Sequence, residues 1–233
     1  AKGISNSKKN DSKIQGTTGN TSCPTQKKMK LRNIMTLAKA VSLLSSPFYL
    51  PIIGLTALFI FSYLSLLPLI YKGVVLIMVY IFTILMPTTL IRLYNSYHGW
   101  TPFELGSRER RMIPYLVSIL CYFLCYYVMA LHHMPHLMGS IVVAALATQT
   151  TCSIINLWWK ISVHMAAIGT MAGALMAFAA IFMFNPVWWL CVIILLAGLI
   201  GSARMILRQH SLAQIYVGFI TGVITGFITV MIV

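Results

Sequence analysis

Carboxylates are almost missing from this sequence: of 233 residues only Asp11, Glu104 and Glu109 are acidic. Two-metal phosphatases, CDP-alcohol phosphotransferases and Asp-rich prenyltransferases all need several carboxylate ligands, so the composition excludes them. Charge of either sign is scarce, at 9% of residues, while 59% are hydrophobic. With a mean hydropathy of +0.85, the chain carries more apolar surface than a soluble domain of this size can hide, and an integral membrane protein is expected. The cysteines, Cys23, Cys121, Cys125, Cys152 and Cys191, have no zinc-site spacing. They read as small packing residues, and Cys121 and Cys125, four apart on one helix, have poor disulfide geometry.

What is present is positive charge, a net +14. Much of it lies in the first 32 residues, where Lys2, Lys8, Lys9, Lys13, Lys27, Lys28, Lys30 and Arg32 face only Asp11. This tail is rich in Ser, Thr, Asn and Gly, and its composition predicts disorder. A basic cytoplasmic tail drawn to anionic lipid accounts for the charge without any nucleic-acid partner. The apolar run after it starts too late for a signal peptide and continues as a membrane span. The expected organisation is therefore a basic tail over 1–33 and a transmembrane domain over 34–233.

Hydropathy predicts an all-α polytopic bundle of about six or seven transmembrane helices. Residues 37–70, broken at Pro47 and Pro51, read as one span preceded by an interfacial or re-entrant piece, since about 20 residues cross a bilayer. Further spans are expected over about 74–91, with a kink at Pro87, and over 113–131, 137–158, 163–184, 188–207 and 212 to the end. The cluster His132-His133-Met134-Pro135-His136 has no thiolate or carboxylate beside it and reads as an interfacial loop, not a metal site. Trp158 and Trp159 mark a membrane interface.

Small residues four apart form two seams: Gly169, Gly173 and Ala177, and then Gly218, Gly222 and Gly226. Such seams let transmembrane helices approach closely. Extended backwards at the same spacing, the second seam reaches Gln214 and His210. On a helix those two share a face, turned to the bundle, where the amide can orient the imidazole. Arg204 and Arg208 are also four apart and either could hold a phosphate in bidentate fashion, though Arg208 reads better as a headgroup-level charge.

Counting crossings puts three basic patches at one membrane face, because two spans separate the Arg108–Arg111 loop from Lys160 and two more separate His164 from Arg204. A set of Arg, Lys, Ser and His with few acids suits an oxyanion, and the phosphate or diphosphate of a lipid headgroup fits best. A cytoplasmic tail followed by two crossings places that face in the cytoplasm; a re-entrant first segment reverses it.

These residues resemble the type 2 phosphatidic acid phosphatase (PAP2) superfamily. Its Ser-Arg-x5-His-x3-Asp motif is matched by Arg204-x5-His210-x3-Gln214, with Ala203 for Ser and Gln214 for Asp, and its Pro-Ser-Gly-His motif by Ser162 and His164 within Ile161-Ser162-Val163-His164. The likeness covers about 158–233 and looks like a divergent branch associated with Bacteroidetes. No Lys-x6-Arg-Pro motif occurs, so either the Arg108–Arg111 cluster or Lys160 stands in for it. The resemblance implies a PAP2-like core in a bacterial inner membrane and a phosphatase that needs no cofactor or metal. His210 would be the nucleophile forming a phosphohistidine, Gln214 would fix its ring, and His164 would be the general acid. Arg204, Lys160, Ser162, Arg108 and Arg111 would hold the phosphate of a lipid phosphate or isoprenoid diphosphate. The alternative is a catalytically silent relative that binds lipid phosphate.

Overall fold

The computed structural model describes residues 35–37, 39, 47–61, 66–98 and 108–233, with the side chains at 47, 50, 61, 98 and 108–111 outside the description. The basic tail, Cys23 and Glu104 therefore lie outside the described residues. Helix is the regular secondary structure throughout them. A 3₁₀ turn, Pro47–Tyr49, leads into α1 (Leu50–Phe61); α2 (Leu69–Tyr80) and α3 (Met86–His98) follow. Then come α4 (Arg108–Leu131), α5 (His136–Trp158), α6 (Val163–Phe182), α7 (Val187–Ile206) and α8 (Leu212–Ile232).

Six helical segments are long and apolar enough to cross a membrane: Leu69–Tyr97, Met112–Leu131 and the whole of α5, α6, α7 and α8. The protein is thus an all-α, multi-pass integral membrane protein. α1, within the segment expected to hold the first span, is a shorter apolar helix of 12 residues, about 18 Å long against the roughly 30 Å hydrocarbon core; residues 62–65, which follow it, lie outside the described residues.

The next span runs on without a break, through one π-helical turn, Ile81–Leu85, that joins α2 to α3. Its cause is Pro87: the proline has no N–H to give residue 83, and its ring crowds that carbonyl, so the backbone widens just before it. The hydroxyls of Thr83, Thr88 and Thr89 bond back to carbonyls a turn earlier, which keeps polar groups paired inside the span.

α5 and α6 are the most enclosed spans, while the others leave more of their surface exposed. The closest packing is between α6 and α8, and the glycines explain it. A Cβ at Gly169 or Gly173 would collide with the backbone of Phe219 or Val223, and one at Gly222 or Gly226 with that of Ala166 or Thr170. The two small-residue seams therefore face each other, backbone against backbone. Buried Thr170 follows the same interface, its hydroxyl 2.7 Å from that of Thr148, which in turn lies 3.0 Å from Thr225. This chain of hydroxyls ties α5, α6 and α8 together in mid-bundle.

Cys121, Cys125 and Cys152 are buried packing residues, whereas Cys191 is exposed on α7. The His132–His136 segment forms the turn between α4 and α5, with His133 in the left-handed region (φ 47°) at the end of α4. No group of three or more potential metal ligands occurs among the described residues.

Candidate functional site

The site is built where three helix ends meet. α7 ends at Ile206 and α8 begins at Leu212, leaving a five-residue turn between them. The turn closes α7 by a Schellman arrangement: Arg208 N–H bonds Met205 O at 2.9 Å, Gln209 N–H bonds Arg204 O at 3.1 Å, and Arg208 is left-handed (φ 51°). The expected shared face of Arg204 and Arg208 is lost, because the helix ends between them. Arg208 serves the chain reversal, and Arg204 stays on the last turn of α7, where its charge complements the helix C-terminus.

α8 then starts with a capping box. Ser211 Oγ accepts from Gln214 N–H at 3.5 Å, and Gln214 Oε1 accepts from Ser211 N–H at 3.1 Å. His210 is thus in the turn and not on the helix, so it does not share a helical face with Gln214. The expected contact forms all the same: His210 Nδ1 lies 3.2 Å from Gln214 Oε1.

Those bonds fix the ring chemistry. The Ser211 N–H identifies the Gln214 atom at this position as the carbonyl oxygen. That oxygen can only accept, so Nδ1 carries the proton. On the other side of the ring, Arg204 Nη2 lies 3.3 Å from His210 Nε2. A guanidinium can only donate, so Nε2 presents its lone pair. One neutral tautomer satisfies both contacts. Burial, then the positive charges of Arg204 and Lys160, push the His210 pKa down to about 4, against a smaller upward pull from the Gln214 hydrogen bond.

The second strand of the site is the connection from α5 to α6. Lys160 Nζ donates to Gln209 O at 2.8 Å, and Ser162 N–H donates to Gln214 O at 3.4 Å, so the two connections are stitched together. Gly218 lets this happen, since a Cβ there would press on the Ser162 carbonyl. Ser162 occupies the N-cap position of α6 without making a side-chain cap bond. Its hydroxyl is fully buried and unpartnered among the described residues, at the start of α6. His164 stands half-buried in that turn.

The third contributor is the start of α4. Asn156 Nδ2, near the end of α5, lies 3.7 Å from Met112 Sδ, and Tyr115 is within electrostatic reach of Arg204. The N-terminal end of α4, which carries Arg108 and Arg111, is therefore at the same end of the bundle as Lys160, Arg204 and His210, as span counting anticipated. The side chains of Arg108 and Arg111 lie outside the described residues.

Reading the sequence missed Tyr115 and the double duty of Gln214. The second had a visible signal, the Ser211-x-x-Gln214 capping spacing ahead of an apolar run. The first had none, because a tyrosine one turn beyond Arg111 is ordinary in an interfacial helix. Compared with known proteins, the chain matches no family model, no curated protein and no solved structure.

Proposed function

We propose that this protein is a metal-independent phosphatase of a bacterial inner membrane, acting on a lipid phosphate or an isoprenoid diphosphate by way of a phosphohistidine. The observation that carries the reading is the alignment Arg204–His210–Gln214. It holds a neutral imidazole with its proton on Nδ1 and its lone pair on Nε2, directed at a guanidinium. A phosphoryl group drawn to Arg204 meets that lone pair first.

The chemistry follows from these roles. Nε2 of His210 attacks phosphorus, the bond from phosphorus to the leaving oxygen breaks, and His164 gives that oxygen a proton. Water, deprotonated by His164, then attacks the phosphohistidine, returning His210 with inorganic phosphate. Arg204 and Lys160, with Arg108 and Arg111 at the same end, offset the charge on the non-bridging oxygens. Ser162 Oγ and the N–H groups that open α6 donate to the same oxygens. Gln214 sets the ring but, being an amide, stabilises the imidazolium less than a carboxylate would.

The test is phosphate release by the purified protein in EDTA, from phosphatidic acid, phosphatidylglycerophosphate and undecaprenyl diphosphate, beside a His210→Ala control. Release that the control abolishes supports the hydrolase. The neutral Gln214 favours one second reading, a silent relative that holds lipid phosphate with Arg204. It predicts no release at any pH from about 5 to 9, the range that spans histidine titration, with binding lost in Arg204→Ala.

A further inference from the structure

Between α1, α5, α6 and α7 lies an apolar crevice of about 300 Å³. Small side chains keep it open where large ones would fill it: Ala57, Ala144, Ala145, Ala167 and Ala174 all line it. Its lining residues on α5 and α6 are buried or half-buried, whereas Ile53 of α1 and Trp189, Val192 and Leu196 of α7 stay exposed. The crevice therefore opens on the side of the bundle, and because α7 is a span its mouth meets hydrocarbon. None of Lys160, Ser162, His164, Arg204 or His210 is on its wall, so it is not part of the phosphate site.

One polar group on this wall is left unpaired. Thr148 and Thr170 use their hydroxyls on each other and on backbone carbonyls, and Tyr122 and Trp189 have partners of their own. Gln149 is only 7% exposed, and its amide makes no hydrogen bond among the described residues. From Gln149 to Trp158, the end of α5, the helix rises about 14 Å at about 1.5 Å per residue. The amide thus lies near the middle of a hydrocarbon core about 30 Å thick. An unpaired amide is costly there, and polar groups kept in a membrane interior mark sites of function.

The chemistry of the wall narrows what can pair with that amide. Water needs about two to four polar partners and finds one. An ion would meet no opposite charge, since no charged side chain lines the crevice. The headgroup of a phospholipid stays at the interface, about 15 Å away, and a plain hydrocarbon chain leaves the amide as it is. A hydroxyl donates and accepts at once, and so answers both halves of the amide. The volume holds roughly ten non-hydrogen atoms at about 30 Å³ each, so a small ligand fits whole.

We infer that the crevice binds an uncharged single-chain alcohol of about eight to twelve carbons, which enters from the lipid. Its hydroxyl pairs with the Gln149 amide, and its chain lies along Phe178 and Phe182 toward Trp189. None of the residues assigned to phosphate takes part, so this site stands or falls apart from the phosphatase reading.

The test uses protein in nanodiscs titrated with 10-bromodecan-1-ol, whose bromine quenches tryptophan. Trp189 emission is read as the difference from Trp189→Phe. Quenching is expected to saturate and to be reversed by unbrominated 1-decanol. The alcohol is expected to displace the probe at about three- to tenfold lower concentration than 1-methoxydecane, which lacks the hydroxyl proton, the effect of one hydrogen bond. Gln149→Leu should erase that difference, and Ala174→Phe, which fills the crevice, should abolish saturable quenching. Quenching that rises without saturation shows alcohol merely dissolved in the lipid around Trp189, and it overturns the inference. So does equal displacement by the alcohol and its methyl ether, a difference that survives in Gln149→Leu, or stronger displacement by ionised decanoate. The comparison of alcohol with ether on the unaltered protein decides the matter even if a variant does not fold.

Discussion

Arg204 Nη2 lies 3.3 Å from Nε2 of His210, the ring nitrogen whose proton is absent. The guanidinium thus sits in front of the lone pair, and an incoming phosphate must take it over before the nitrogen can react. Replacing Arg204 with Ala removes both the anion's anchor and the charge that offsets the transition state. Phosphate release is expected to fall about a hundred- to a thousandfold in kcat, measured as initial rates at saturating substrate.

Gln214→Glu tests the amide directly. It keeps the Ser211-x-x-acceptor capping box and places a negative charge on the Nδ1–H of His210. The His210 pKa is expected to rise by about 1–3 units, read by NMR titration of the labelled ring, and kcat to rise with it. Gln214→Ala instead loses the reciprocal cap, costs about 1 kcal/mol in thermal unfolding, and frees the ring. An unchanged His210 titration in Gln214→Glu would show that the 3.2 Å contact is not made in solution.

The pH dependence follows from the depressed His210 pKa of about 4. The folded protein holds this proton more weakly than the unfolded chain, whose histidine titrates near about 6.5. Its contribution to stability is therefore present above about pH 6.5 and is lost as pH falls toward 4. For activity, the acidic limb of kcat/KM is expected near pH 4 to 5 and not near 6.5, because the nucleophile stays neutral down to there. An acidic limb at 6.5 that Gln214→Glu leaves unmoved assigns it to another group.

Gly222→Val should be severe, since the first added carbon meets the Ala166 carbonyl where α6 and α8 touch. A loss of about 1–3 kcal/mol or more is expected, together with loss of activity as Ser162 and Gln214 are pushed apart. Gly198→Val is the matched control, because a Cβ there meets nothing within 4 Å. Thermal unfolding in detergent separates the two.

Arg208→Gly is expected to stabilise the protein by about 1 kcal/mol. Arg208 holds a left-handed conformation that glycine adopts freely. Phosphate release should change little, and a loss as large as that of Arg204→Ala would add Arg208 to the phosphate-binding set.

Several of these features could be read from the chain without its fold. The six long spans, the broken segment around Pro47 and Pro51, and the meeting of Lys160, Arg204 and His210 at one end all follow from hydropathy and from counting crossings, because a bilayer of fixed thickness turns sequence length into position. The two glycine seams were visible too. That they face each other was not, since spacing shows that a helix has a close-approach face but not which helix will use it. The His210–Gln214 contact was foreseen for the wrong geometric reason: the Schellman turn at Arg208 ends α7 early, and the capping box, not a helix face, brings the two side chains together.

By itself, then, the sequence determined an all-α membrane protein with its cations gathered at one face and almost no acids to oppose them. Only the tertiary structure decided that Ser162 is buried against the start of α8, that Tyr115 approaches Arg204, and that an apolar pocket opens between α1, α5, α6 and α7. The reason is physical. Partition into a bilayer depends on composition along the chain, whereas contact between helices depends on which backbones can approach, and a pocket exists only where several helices together fail to fill the space between them.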